Sequence, residues 1–196
     1  MSEIVSKPAA TTANLDQLIR DRWSPRIYDT KHELSQAELE SLGEAFRWAP
    51  SSSNQQPWKL VLVSRGTELH TKISEQGLGG FNASWAPNAS ALAIVLGEAK
   101  NSKGEDRNKV DTAYDLGLAS MKLIIQSESM GLKAHVMGGI DHEAIKNILN
   151  AQHHFVMVAI SIGMQGILEG QEEAIVEREK TPRERKEDAY LINSAF

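Results

Sequence analysis

Along the chain, apolar residues recur either every third or fourth position or in short unbroken runs, and the two patterns predict a mixed set of elements. Leu15, Leu18 and Ile19 mark a first short helix, with Asn14 or Asp16 as N-cap and Pro25 as its stop. Leu39, Leu42, Ala45, Phe46 and Ala49 share one helical face; Ser35 and Glu38 form a capping box before it, and Pro50 ends it. Residues 67–76 read as a third helix closed by Gly77. The longest helix covers 110–130, with Ala113, Leu116, Gly117, Ser120, Leu123, Ile124 and Ser127 facing inward and Gly131 as its cap. Another covers 141–149. Apolar runs at 58–63, 91–96 and 154–163 read as buried strands, and a shorter strand at 134–137 leads into a Gly138-Gly139 turn. The charged segment 97–109 reads as an exposed loop, and the charged tail ends in an apolar patch at Leu191, Ile192 and Phe196. Residues 1–15 are expected to be a flexible arm, and 16–196 a single domain.

Helices and strands alternate without a regular βαβ rhythm, which predicts an α+β domain with one central sheet and helices on its faces. A length of 196 residues suits that single domain and its core. No GxGxxG follows a strand and no GxxxxGK[ST] occurs, so neither a dinucleotide fingerprint nor a P-loop is present.

Charge changes the picture further. Lys and Arg number 21 against 26 Asp and Glu, for a net charge of -5, so nucleic acid is not an expected partner and any anionic ligand must be held by a few local cations. Cysteine is absent, which excludes disulfides, thiolate metal sites and a cysteine nucleophile and fits a cytoplasmic home. The longest apolar run, 155–164, is far shorter than the roughly 20 residues a membrane helix needs, and the N-terminal stretch lacks the apolar core of an export signal. The histidines show no metal-ligand spacing, and Ser51, Ser52 and Ser53 lie in no nucleophile elbow.

Four segments carry candidate chemistry. Arg22-Trp23-Ser24-Pro25-Arg26 sets two guanidinia and a hydroxyl within five residues, a donor set suited to phosphate, although alone it is as easily a solvated basic turn. Pro50, Ser51, Ser52, Ser53, Asn54, Gln55 and Gln56 form a loop dense in donors and acceptors that can read a heteroaromatic edge, or simply turn the chain. Met137, Gly138 and Gly139 follow a strand; glycine there lets backbone approach a flat ligand or makes a tight turn. Arg183, Arg185 and Lys186 add late cations that either join Arg22 and Arg26 or stay solvated.

In order along the chain, RWSPR, APSSSNQQPWKL, Asn82 with Trp85-Ala86-Pro87, YDLGLA, GLKAHVMGGID and PRERK resemble the FMN-dependent nitroreductase family, from about Asp16 onward. The resemblance implies a three-layer fold, a central mixed sheet flanked by helices, with FMN at a homodimer interface. By the family pattern, the Arg22-to-Arg26 motif, which includes Trp23, places Arg22, Ser24 and Arg26 on the phosphate and ribityl side, and Arg26 also reaches the pyrimidine end. Pro50, Ser51, Ser52 and Asn54 would contact the flavin from the partner subunit. Asn82 would sit beside the ring; Met137, Gly138 and Gly139 would line it; Arg183 and Arg185 would close on the phosphate. One departure is Glu187-Asp188 where the family usually has Pro-Leu after the last basic pair, leaving Arg178 and Lys180 as the alternative pair. The short segment before the long helix, where larger relatives carry a lid, implies an open pocket. The implied activity is an NAD(P)H-dependent FMN oxidoreductase. NADH or NADPH delivers hydride in one half-reaction, and a small electron-poor acceptor such as a nitroaromatic or quinone is reduced in the other. No obligatory catalytic side chain is implied, since a bound flavin does the redox work. A flavin store or sensor without turnover is the alternative, and a flavin-free enzyme on the same fold a third.

Overall fold

The structure, a computed structural model, describes residues 3–186 and 189–190. The Glu187-Asp188 departure and the apolar patch of Leu191, Ile192 and Phe196 lie outside those residues. A short helix α1 (Gln17–Asp21) is capped by Asp16, whose carboxylate accepts the Leu18 N–H at 2.9 Å. It ends well before Pro25, because the segment beyond is extended. Helix α2 (Gln36–Arg47) carries the expected capping box, with Ser35 and Glu38 exchanging hydrogen bonds. Strand β1 (Trp58–Ser64), helix α3 (Glu68–Gln76), strand β2 (Ala91–Glu98) and helix α4 (Lys109–Ser129) follow. Strand β3 (Lys133–Met137), helix α5 (His142–Ile148), strand β4 (His154–Gly163) and helix α6 (Glu173–Lys180) complete the order. Short 3-10 turns occupy Ser52–Asn54, Gly80–Ser84 and Ala86–Asn88.

Among the described residues, four strands form one sheet in the order β1-β2-β4-β3, and each of these pairings is antiparallel. Among these residues the sheet is antiparallel where a mixed one was expected: apolar runs announce buried strands, but their direction is set by connections that cross a helical layer. The sheet divides two cores, giving the three layers expected. Leu42 and Phe46 of α2 and Leu116, Ala119 and Leu123 of α4 pack against Ala93, Val95, Ile160 and Ile162 on one face. Ile73 of α3, Ile145 of α5 and Ile175 of α6 pack against Leu92, Ile94, Leu96 and Ala159 on the other. Each fully buried Leu or Ile contributes about 1.5–3 kcal/mol.

The β2–β4 register shifts: Val95 pairs with Val158 but Leu96 with Val156, leaving Met157 as an extra residue. Side chains alternate with a period of two, so one inserted residue inverts the phase. Val156 therefore joins the α5 face and Ile160 the α4 face, although both are even-numbered. Opposite Phe155, Gly97 leaves room for the ring; a Cβ there would lie 2.3 Å from the Phe155 Cζ.

Two expectations fail. On α4 the buried residues include Leu116, Ala119, Ser120, Leu123, Ile124 and Ser127, but Gly117 is exposed and Ala113 only half-buried. Helix α6 lies where only a charged tail was expected. Its inward positions are Ile175 and Glu179, and a single apolar residue gives no periodic signal. Residues 3–9 of the expected arm are tied to the domain through Glu3, Val5, Lys7 and Ala9. Leu168 N–H donates to Glu3 O at 3.1 Å, Gln165 to Val5 O at 2.7 Å and Ala9 N–H to Arg20 O at 2.8 Å.

Candidate functional site

Beyond α1 the backbone runs extended, and its side chains alternate. Trp23, Pro25 and Ile27 are buried, while Arg22, Ser24 and Arg26 stand on the opposite, half-exposed side. This period of two aims all three polar groups one way. They line a cavity of about 360 Å³ with Lys7, Trp23, Arg178, Thr181, Pro182, Arg183 and Arg185. Six of these side chains are cationic and none is acidic.

The frame of the cavity is fixed by hydrogen bonds, some of them from the guanidinia themselves. Glu179 on α6 accepts the Arg26 N–H at 2.8 Å. His135 on β3 donates through Nδ1 to the Pro25 carbonyl at 2.8 Å. Arg183 donates to the carbonyls of Lys7 and Arg20 at 3.2 and 3.1 Å, which fastens the late basic segment to the first helix. Arg22 Nη1 reaches Ser24 Oγ at 3.2 Å. An aromatic floor lies under Arg26, whose guanidinium is 6.0 Å over the fully buried Trp85 ring, itself 4.6 Å from His135 and 6.4 Å from Tyr28.

Burial leads the electrostatics of these cations, and crowding of like charge adds to it. Burial, then Arg183, pulls Arg22 below its ordinary pKa, with Glu128 opposing. Arg26 is lowered by burial against the attraction of Glu179, and Arg183 by burial and Arg185. A dianion entering the cavity would relieve each of these strains, by desolvated charge pairing that Arg provides well. Burial lowers His135 to about 4 despite its bond to Pro25, so at neutral pH it is an uncharged strut.

A second group assembles beside the first. Asn82 donates through Nδ2 to the Gly139 carbonyl at 3.0 Å, and Gly79 N–H donates to the same oxygen at 3.3 Å. A Cβ on Gly139 would sit 3.2 Å from the Asn82 amide nitrogen, so a side chain there would press on this contact. Met137 is buried at the end of β3, and Gly138 and Gly139 are exposed. Arg178 joins the two groups: it lines the cation cavity and lies 4.0 Å over the Phe81 ring. Of the alternative late pairs, Arg178 thus lines the cavity together with Arg183 and Arg185, and Lys180 does not.

Residues 19–95 and 78–164 match the Nitroreductase family. The chain belongs to this family. An oxygen-insensitive NADPH nitroreductase of Helicobacter pylori (strain J99 / ATCC 700824) is 38% identical over 79 residues, which is 40% of this chain and 36% of that protein. The chain therefore aligns with about a third of the length of the Helicobacter relatives it matches. A crystal structure described as an oxidoreductase containing FMN is 30% identical, covers 94% of each chain and superposes with a TM-score of 0.84. A nitroreductase family protein from Clostridium difficile 630, at 18% identity, covers 87% of this chain and 94% of its own with a TM-score of 0.65, and so shares the fold.

In this nitroreductase-family chain the Pro50, Ser51, Ser52 and Asn54 segment lies apart from the cation cavity. None of these residues lines it; Ser52 lines another cavity, with Arg107, Asn108 and Asp115. Lys7 and Glu179 were not among the expected site residues. Lys7 sits in a segment without pattern, and Glu179 hides in a run of charges where nothing distinguishes a buried carboxylate from a solvated one. Trp85 and His135, both inside quoted motifs, offered the only sequence signal for the aromatic floor.

Proposed function

We propose that this protein is an NAD(P)H-dependent FMN oxidoreductase that reduces small electron-poor acceptors such as nitroaromatics or quinones. The observation that carries this reading is the cavity that, among the described residues, has six cationic linings and no acidic one, set beside the Asn82–Gly139 group in a nitroreductase-family fold. These residues fit FMN: a dianionic phosphate answers the crowded guanidinia, and a flat ring suits the exposed glycines. When bound, FMN would supply the redox chemistry between NADH or NADPH and the acceptor.

The chain's own residues bind and orient. Arg22, Ser24, Arg183 and Arg185 would hold the phosphate, with Lys7 and Arg178 adding charge. Arg26, its backbone N–H fixed on Glu179, would present its guanidinium toward the pyrimidine end. Asn82 spends its amide N–H on Gly139, so its Oδ1 remains for the ring. Met137, Gly138 and Gly139 would line the ring with backbone. His135 holds Pro25 as a neutral imidazole that carries its proton on Nδ1.

A homodimer completes the reading. Loop 50–54 shares no cavity with Arg22, which supports its serving the site of a partner subunit. Val110, Tyr114, Gly117 and Met121 make an exposed stripe on α4, with Val110 76% and Tyr114 70% exposed, and such a face suits a second copy. No helix of the described residues is long and apolar enough to cross a membrane, which is consistent with a cytoplasmic enzyme.

The test is an anaerobic visible spectrum of protein supplemented with FMN and desalted, before and after NADH and then NADPH. A retained flavin band that bleaches with either nucleotide is expected. A retained band that neither bleaches would favour a flavin store or sensor, and no retained band would overturn the cofactor assignment.

A further inference from the structure

Among the described residues, four non-glycine residues have a left-handed backbone, and three of them fall within loop 51–56: Ser53 (φ 48°), Asn54 (φ 54°) and Gln56 (φ 49°). L-residues populate this region sparsely, so an exposed loop does not gather three of them without external fixation. Its internal bonds are short-range: Ser51 Oγ accepts the Gln56 N–H at 2.9 Å, and Trp58 N–H donates to Gln56 O at 2.8 Å.

Two residues from other elements supply the fixation. Asp115, buried in the middle of α4, accepts the Ser52 N–H through Oδ1 at 3.2 Å and Oδ2 at 3.4 Å. Arg107, just ahead of α4, donates through Nη1 to Gln55 Oε1 at 2.6 Å. Its other nitrogen, Nη2, is locked on Glu98 of β2 at 2.9 Å, with the Arg107 side chain only 11% exposed. The loop is thus bolted at Ser52 and at Gln55, on either side of Ser53 and Asn54.

We propose that Asp115 and Arg107 are positioning residues: they hold loop 51–56 in its ligand-facing shape before flavin arrives, so that little ordering remains to be done on binding. The proposal rests on the FMN reading above. Neither residue need touch the flavin. Both act through the loop, Asp115 by a charge-assisted bond to its backbone and Arg107 through the Gln55 amide.

Hydrogen exchange of the flavin-free protein and an FMN fluorescence titration test it together, on the wild type, Asp115→Ala, Asp115→Asn and Gln55→Leu. Asp115→Ala should speed exchange in 51–56 about tenfold, leave the protected amides of α4 and the sheet unchanged, and raise the FMN dissociation constant about tenfold. Asp115→Asn should restore both, because an amide oxygen accepts the same N–H. Gln55→Leu, at an exposed position, should give a smaller change of the same sign, and it carries the test should Asp115→Ala not fold. Unchanged loop exchange overturns the proposal, and so does faster exchange with unaltered FMN affinity. Faster exchange spread through α4 would mean a general structural role and overturn it as well. A wild type that retains no FMN overturns the flavin reading itself, a result distinct from equal FMN binding by wild type and Asp115→Ala.

Discussion

Replacing Arg22 with Ala removes one guanidinium from the cation cavity together with its 3.2 Å contact to Ser24 Oγ. The effect on the free protein should be small. Arg22 is held below its ordinary pKa by burial and Arg183, so its loss relieves like-charge crowding as well as removing packing. Glu128 keeps its ion pair with Lys133 at 2.7 Å. Binding is a different matter. A hydrogen bond between charged groups is worth about 1.5–3 kcal/mol, which converts to roughly 10- to 150-fold in the FMN dissociation constant. Riboflavin lacks the phosphate, so its affinity should change by less than about twofold. The assay is flavin fluorescence quenching with both ligands on wild type and Arg22→Ala, repeated at low and high salt. The variant should also lose part of the salt dependence of FMN binding. An FMN affinity within about twofold of wild type, or equal losses for riboflavin and FMN, would refute the assignment of Arg22 to the phosphate.

Three more outcomes are expected. His135 has a folded pKa of about 4, below its ordinary 6.5, so the unfolded chain binds the proton first. Its contribution is fully present above about pH 6.5 and falls as pH drops toward 4, by about 2 kcal/mol at pH 5; urea melts should show this pH slope in wild type and not in His135→Asn. Gly97→Ala forces a methyl against the Phe155 ring and should cost about 1–3 kcal/mol, read as a lower melting temperature. Tyr114→Glu puts a charge on the exposed α4 stripe and should shift light-scattering mass from dimer to monomer with loss of retained FMN; a dimer that keeps its flavin would place the interface elsewhere.

Several elements were legible before any coordinate because their determinants are local. The Ser35–Glu38 capping box, the apolar runs of β1, β2 and β4, and the Gly131 stop after α4 each depend on neighbours in sequence. Candidate site residues were legible as motifs, and RWSPR carries its own explanation: an extended backbone anchored by one aromatic residue, Trp23, and one proline, Pro25, alternates buried with half-exposed positions. What these segments form together was not local. The sequence does not say that the four described strands pair antiparallel, or that Met157 inserts an extra residue and turns Val156 and Ile160 to opposite faces. Nor does it separate Glu179, buried under the Arg26 backbone, from the solvated acids around it. The same holds for Lys7 and Arg178, which reach the cation cavity from opposite ends of the chain. Local chemistry determines which short segments can form and which donors they offer. The meeting of Arg22, Arg26, Arg178 and Arg183 around one cavity depends on desolvation and packing between distant segments, and only the folded chain decides it.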